Sequence, residues 1–283
     1  MRSHGGARAV SLDQERQNLM LDNSPVPNYL DKFSLAGATA IVVGAGAGIG
    51  RQSAHALSQV GAKVICVDLD SSRAEAVASE VGGVAVVADA CEREGVISIL
   101  AEAEKTGLPL RSIVDIIGIA SFADLNMHTD EIWAKSERLN LRHAYLLAEL
   151  GGDALAAAGG GTLVYISSIS GFWGTQRHAA YGAHKAALVS LVKTAAVELG
   201  PKGVRVNSAA PGVIWTERMA NAIGLDNRER FSANTPTGRL GEPSDIAGVV
   251  SFLATDISSH VNGQSVIIDG GAGVKFPYPV ELL

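Results

Sequence analysis

The chain has 283 residues, 47% of them hydrophobic and 18% charged, with a formal net charge of −6 at pH 7. This suits one sizeable α/β unit, and the acidic balance argues against a general nucleic-acid surface. No apolar run is long enough to cross a membrane, and Arg2 and Arg8 have no hydrophobic stretch behind them, so neither a span nor a secretory leader is expected and the cytoplasm is the expected location.

Residues 1–34 precede the first predicted strand. Ser11 and Gln14 have the spacing of a capping box that opens a short helix through Met20, and Pro25 and Pro27 would end it. The segment reads either as a mobile tail or as an arm that packs on a neighbouring subunit. Residues 38–43 form a short apolar run and read as a buried strand. Gly44, Gly46, Gly48 and Gly50 follow, and helical periodicity covers 49–60. Glycines between a strand and a helix let backbone N–H groups and the helix start approach a pyrophosphate, although such turns also serve only to pack a helix on a sheet.

A second apolar run, 63–67, is closed by Asp68, about twenty residues beyond the glycine turn. An acid at that place can accept hydrogen bonds from the ribose hydroxyls of a dinucleotide; otherwise it caps the next helix. Further strands are predicted at 84–88, 112–117, 161–166, 203–209 and 265–269, and helices at 71–81, 92–105, 130–157, 178–199 and 243–254. This alternation predicts a doubly wound, parallel, seven-stranded sheet with helices on both faces. Ligands of such sheets gather at the carboxyl ends of the strands. Asp68, Asp89, Gly118, Ser168 and Pro211 all fall at or just after such ends. The two cysteines, Cys66 and Cys91, suggest neither a disulfide framework nor a metal site.

Tyr181 and Lys185 stand four residues apart in a predicted helix, thirteen residues after Ser168. Positions i and i+4 share a helix face, so the ammonium would lie near the phenol and lower its pKa. A phenol tuned in this way can exchange a proton with an alcohol oxygen. A Tyr and a Lys at this spacing are common on helices; the surrounding motifs distinguish this pair.

With those motifs in order, the chain resembles the short-chain dehydrogenase/reductase family over about Leu35 to Gly271. GAGAGIG, residues 44–50 and including Ile49, is similar to the family's glycine turn. The resemblance implies that Asp68 with Leu69 meets the adenosine ribose, Asp89 with Ala90 the adenine, and Gly118 the adjoining strand end. It implies that Asn140, Ser168, Tyr181 and Lys185 are the catalytic set. Pro211, Gly212, Val213, Ile214 and Thr216 match the loop that cradles the nicotinamide. Three places depart from the family pattern: Val43 replaces a Thr, Asp115-Ile116-Ile117-Gly118 replaces Asn-Asn-Ala-Gly, and Asn262-Gly263 replaces Thr-Gly. The second departure puts in doubt local detail around the adenosine ribose rather than catalysis.

The implied reaction is hydride transfer between NAD(H) and a secondary alcohol or ketone, apolar or cyclic. Tyr181 would be the general acid/base, Lys185 would lower its pKa and hold the nicotinamide ribose, Ser168 would hydrogen-bond the substrate oxygen, and Asn140 would hold a water. Phe122, Phe172, Trp173, Trp215 and Met219 lie in loops that either line the substrate pocket, together with Ser168, or form a subunit interface. His178 and His184 read as surface residues, and His55 and His143 as ordinary helix positions. An NADPH-dependent carbonyl or 3-oxoacyl-thioester reductase is the alternative on the same fold, and a non-catalytic dinucleotide-binding protein the alternative of another class. The resemblance also implies a homo-oligomer, most simply a tetramer, with residues 272–283 as a tail that crosses to a neighbour.

Overall fold

The computed structural model describes residues 25–275. The expected helix of residues 11–20 and the end of the tail, 276–283, lie outside the described residues. Seven parallel strands form one sheet in the order β3-β2-β1-β4-β5-β6-β7. They are β1 (Thr39–Val43), β2 (Lys63–Asp68), β3 (Val84–Val87), β4 (Leu110–Asp115), β5 (Gly161–Ile166), β6 (Val204–Pro211) and β7 (Ser265–Ile268). β1 is buried at every position, as its unbroken apolar run requires once both faces are covered.

One face of the sheet is covered by α3 (Arg93–Glu104), a long helix α4 (residues 130–157) and α5 (Ala179–Leu199). The other is covered by α1 (Gly48–Gln59), α2 (Ser71–Val81) and α8 (Pro243–Ala254). α4 is not uniform. Its α-helical turns are interrupted by π-turns at Arg138–Arg142 and Leu147–Gly151. Such single wide turns rotate the side chains that follow and recur at functional sites.

The strands and helices predicted from residue 38 onward are all present, with two corrections. β4 ends at Asp115 rather than 117, because the Asp115 carboxylate turns back to accept the Ile117 N–H at 3.1 Å. The stretch around Trp215 and Met219, expected as loop, contains α6 (Glu217–Ile223) and α7 (Arg228–Ser232). Both are too short to show an apolar period, but Thr216 marks the start of α6: its hydroxyl accepts the Met219 N–H.

The strand order reverses beside β1, where Val43 is in register with Val67 on one side and Asp115 on the other. Connections from neighbouring strands leave in opposite directions there. A crevice therefore opens at the carboxyl ends of β1 and β4, and this positions the site.

Candidate active site

The glycine turn joins β1 to α1. Gly44 takes a φ of 84° and its N–H and that of Ala45 both reach the Val67 carbonyl at 2.8 Å. A Cβ on Gly50 would overlap the Gly44 carbonyl, and one on Gly46 would overlap the Asp68 carboxylate. The sequence therefore needs glycine at both places to bring the helix start close to the strand. Asp68 Oδ2 accepts the Gly46 N–H at 2.9 Å and Oδ1 accepts that of Asp70 at 3.1 Å. Its carboxylate is thus fixed at the end of β2, with Leu69 exposed beside it. The first N–H groups of α1 have no partner within the helix, as at any helix start. A glycine cradle, a helix start and a fixed carboxylate at the crevice fit a dinucleotide.

Asp89 is held at the end of β3 by two partners. Its Oδ2 pairs with Arg138 at 2.7 Å and its Oδ1 accepts the Cys91 N–H at 2.9 Å, while Ala90 beside it is buried. Arg51 is bound to Glu80 at 2.7 Å, away from the crevice. Arg73 stays near the turn, its Cβ lying against Gly46.

Gly118 follows β4 and lies against the Lys185 Nζ and the Asn140 amide oxygen. Asn140 is fully buried in the first π-turn of α4. Its amide clasps the strand-end loop in both directions, accepting the Ile119 N–H and donating to the Ile119 carbonyl, each at 3.0 Å. One turn on, His143 reaches Asp115. His143 and His184 are buried, which corrects the surface expectation for His184: His143 pairs with Asp115, and His184 with the Ser136 hydroxyl at 3.1 Å. Their positions in α4 and α5 give no sequence signal of this.

Ser168 closes β5. Its Oγ accepts the Ser170 N–H at 3.1 Å. Tyr181 and Lys185 share one face of α5, with the Lys185 Nζ 5.8 Å from the Tyr181 ring centroid. Lys185 is buried and donates to the Ile166 carbonyl at 2.8 Å. Burial lowers its pKa to about 8, against the charge of Asp115, which raises it. Tyr181 departs from the expectation. Burial raises its pKa, while a hydrogen bond with Ser168 and the charge of Arg218 act in the opposite direction. The cofactor-free phenol is therefore a weaker acid than free tyrosine, because the loss of hydration outweighs the Ser168 hydrogen bond and the Arg218 charge.

The loop after β6 completes the crevice. Gly212 donates to the Ile268 carbonyl at 2.9 Å and leaves no room for a Cβ beside Asp269. Val213 and Trp215 pair with Gly241, which seats the buried Ile214. A Cβ on Gly48 would lie 3.6 Å from the Thr216 methyl, so the glycine turn and this loop face one another. The aromatic candidates divide. Phe122 stacks on His178 at 4.8 Å, and His178 lies 5.4 Å from the Tyr181 ring, so these border the candidate acid/base. Trp173 packs against Gly273 and stacks with Phe172 at 6.1 Å. Trp215 lies under the Arg228 guanidinium at 4.9 Å. Met219 is half-buried in α6. Arg218, which sequence reasoning passed over, reaches across the crevice to the Gly118 carbonyl at 3.2 Å. The sequence signal for it was only its position two residues after Thr216. Among the described residues no group of His, Cys, Asp and Glu can hold a metal, and Cys66 and Cys91 are buried and unpaired.

Fold and site together define a dinucleotide-binding α/β oxidoreductase. The family model adh_short_C2, "Enoyl-(Acyl carrier protein) reductase", matches residues 44–273. An L-rhamnose 1-dehydrogenase (NAD(P)(+)) of Azotobacter vinelandii is 36% identical over 248 residues, 84% of this chain and 97% of its own. An NAD-dependent glycerol dehydrogenase of Listeria innocua is 31% identical over 246 residues, 86% of this chain and 96% of its own. Among solved structures, a 7 alpha-hydroxysteroid dehydrogenase complexed with NADH and 7-oxo glycochenodeoxycholic acid superposes with a TM-score of 0.81 at 30% identity, over 87% of this chain and 98% of that one. The chain belongs to the short-chain dehydrogenase/reductase family and is an enzyme of the class acting on CH–OH groups.

Proposed function

We propose that this enzyme interconverts a secondary alcohol and a ketone with NAD(H), on a substrate with an apolar or cyclic body. One observation carries the reading: Ser168, Tyr181 and Lys185 come together at the carboxyl ends of β4 and β5, while the glycine turn and Asp68 lie at the same ends of the adjoining β1 and β2. A bound nicotinamide dinucleotide would supply or take up the hydride. Gly44, Gly46, Gly48, Ile49 and Gly50 would receive its pyrophosphate, and Asp68 its adenosine ribose. Pro211 to Thr216 would face the nicotinamide.

Tyr181 is the group that moves the proton. Its phenol, protonated through the neutral range, donates to a ketone oxygen or takes the proton of an alcohol. Ser168 hydrogen-bonds the same oxygen as charge develops on it. Lys185 carries positive charge beside the phenol, held in place by the Ile166 carbonyl. Asn140 holds the loop of Ile119, which keeps Gly118 against Lys185. The walls contributed by Phe122 and Met219 favour an apolar substrate body. We also propose a homotetramer and a cytoplasmic location; no helix among the described residues is long and apolar enough to cross a membrane.

An NADPH-dependent carbonyl or 3-oxoacyl-thioester reductase is the second reading. It is favoured by Arg73, which flanks the same glycine as Asp68 and has its side chain largely in solvent. The direct test of the first reading is a screen of secondary alcohols with NAD, followed by NADH absorbance. Tyr181→Phe should cut turnover on the order of a hundred- to ten-thousandfold and leave NADH binding nearly intact. Near-normal turnover in the Phe variant would sink the mechanism.

A further inference from the structure

Arg218 is the charged side chain at the crevice that the reaction above does not use. Thr216 pins the turn that carries it, and its Nη1 crosses the crevice to the Gly118 carbonyl at 3.2 Å. Gly118 also lies against the Lys185 ammonium. Gly118 therefore has a cation on each side, Arg218 at its carbonyl and Lys185 at its Cα, and the charge of Arg218 acts on the Tyr181 phenol. A guanidinium has five N–H donors in a fixed fork. Only one bond from Arg218 is made among the described residues, and no carboxylate there lies within ion-pair distance of it.

Two arginines further along the same loop, and Arg138 in α4, are different. Arg228 is paired with Glu242 at 2.7 Å and Arg239 with Asp245. Arg138 has both Asp89 and Glu92. Arg218 is exposed at the mouth of the crevice and has no counter-charge among the described residues, so its guanidinium is open to an anion that a substrate brings. The planar fork matches an oxyanion through two parallel hydrogen bonds. Met219 adjoins it in α6, and Phe122 borders Tyr181 through His178, so both suit an apolar body at the same crevice.

We propose that Arg218 is an anion-recognition residue that binds an oxyanion carried by the substrate, a carboxylate in the first instance, so that the enzyme selects hydroxy acids and oxo acids over neutral alcohols. This rests on the reading of the Tyr181 site above. A phosphate ester presents the same chemistry to the guanidinium, and the experiment separates the two sources.

The test compares kcat/KM for 3-hydroxybutyrate against 2-butanol, and for glycerol 3-phosphate against glycerol, in the wild type, Arg218→Ala and Arg218→Lys. The acid-to-neutral ratio for the first pair should exceed one in the wild type. It should fall roughly ten- to a hundredfold in Arg218→Ala, the range of hydrogen bonds to a charged group, and recover in part in Arg218→Lys. The same pattern confined to the second pair assigns the anion to a phosphate ester instead of a carboxylate. A second readout needs no turnover: calorimetric titration of butyrate and of butanamide into the NADH-loaded protein. Butyrate should bind the wild type more tightly than butanamide does, and Arg218→Ala should remove the difference. Equal binding of the two in the wild type, or ratios that do not move in the variant, would overturn the proposal. So would a loss of NADH affinity in Arg218→Ala as large as the loss in ratio, which would assign the guanidinium to the cofactor's own phosphates. Turnover by Tyr181→Phe sinks the proton-transfer reading alone and leaves the butyrate result standing.

Discussion

His143 donates from Nδ1 to Asp115 Oδ2 at 2.6 Å, and both side chains are 1% exposed. The second carboxylate oxygen accepts the Ile117 N–H, so one buried acid ties the end of β4 to α4. This pair stands where the family pattern has an asparagine, and it does the same work of fixing the strand-end loop with an imidazole as its second anchor. A buried carboxylate that loses its partner keeps its desolvation cost and loses the compensating bond. His143→Leu should therefore destabilise the protein by about 2–5 kcal/mol in urea unfolding. Asp115→Asn, which keeps an acceptor for Ile117, should cost less. A loss in Asp115→Asn as large as that in His143→Leu would show that the charge at 115, and not the acceptor alone, carries the pair.

The depressed pKa of Lys185 sets a pH dependence with the same sign as ordinary acid loss but in the alkaline range. With a folded value of about 8 against an ordinary 10.5, the unfolded chain binds the extra proton between those limits. Stability then rises with pH across that window, as burial of the charged form ceases to cost. Tyr181 acts in the reverse sense above its ordinary value of 10.0, because its raised pKa keeps the proton in the folded state. The cofactor-free protein should thus gain stability from pH 8 toward 10, and Lys185→Met should lack the gain. Thermal unfolding of both proteins across that range is the measurement. A wild type and variant that run parallel would mean that Lys185 keeps an ordinary pKa.

Cofactor choice turns on Asp68. Its carboxylate is held by two backbone N–H groups, so it cannot swing away cheaply when a 2′-phosphate approaches. Like charges in a partly desolvated pocket repel strongly. The ratio of kcat/KM should favour NAD over NADP, and Asp68→Ala should reduce it. Preference for NADP in the wild type would show that Arg73 outweighs Asp68. An unmoved ratio in the variant would show that Asp68 does not face the ribose.

Oligomerisation is testable on one face. Leu141 and Tyr145 of α4 with Ala187 and Leu191 of α5 line a groove on the outer side of those helices. A two-fold interface uses the same patch on both subunits, so one substitution enters it twice. Sedimentation should give a tetramer, and Tyr145→Glu should yield a smaller species. A wild-type monomer at micromolar concentration would refute the assembly.

Much of the molecule was legible in the residues. The β-branched runs at 38–43 and 63–67 are read as strands because a parallel strand covered on both faces has no polar side to show. Gly44 to Gly50 and Asp68 were readable because only those residue types allow the close approach that the turn makes. Tyr181 and Lys185 were readable because helical spacing alone puts them on one face. The sequence thereby determined the sheet, the crevice and the pair at its edge. Only the tertiary structure decided the rest. Whether a histidine in α4 is buried depends on what packs over it, and His143 meets an acid 28 residues away in sequence. The pKa of Tyr181 is a balance of burial against nearby charge, and periodicity carries only the second. Arg218 faces Gly118 across 100 residues, a contact that no local pattern encodes because it depends on how the loop after β6 folds back over the sheet.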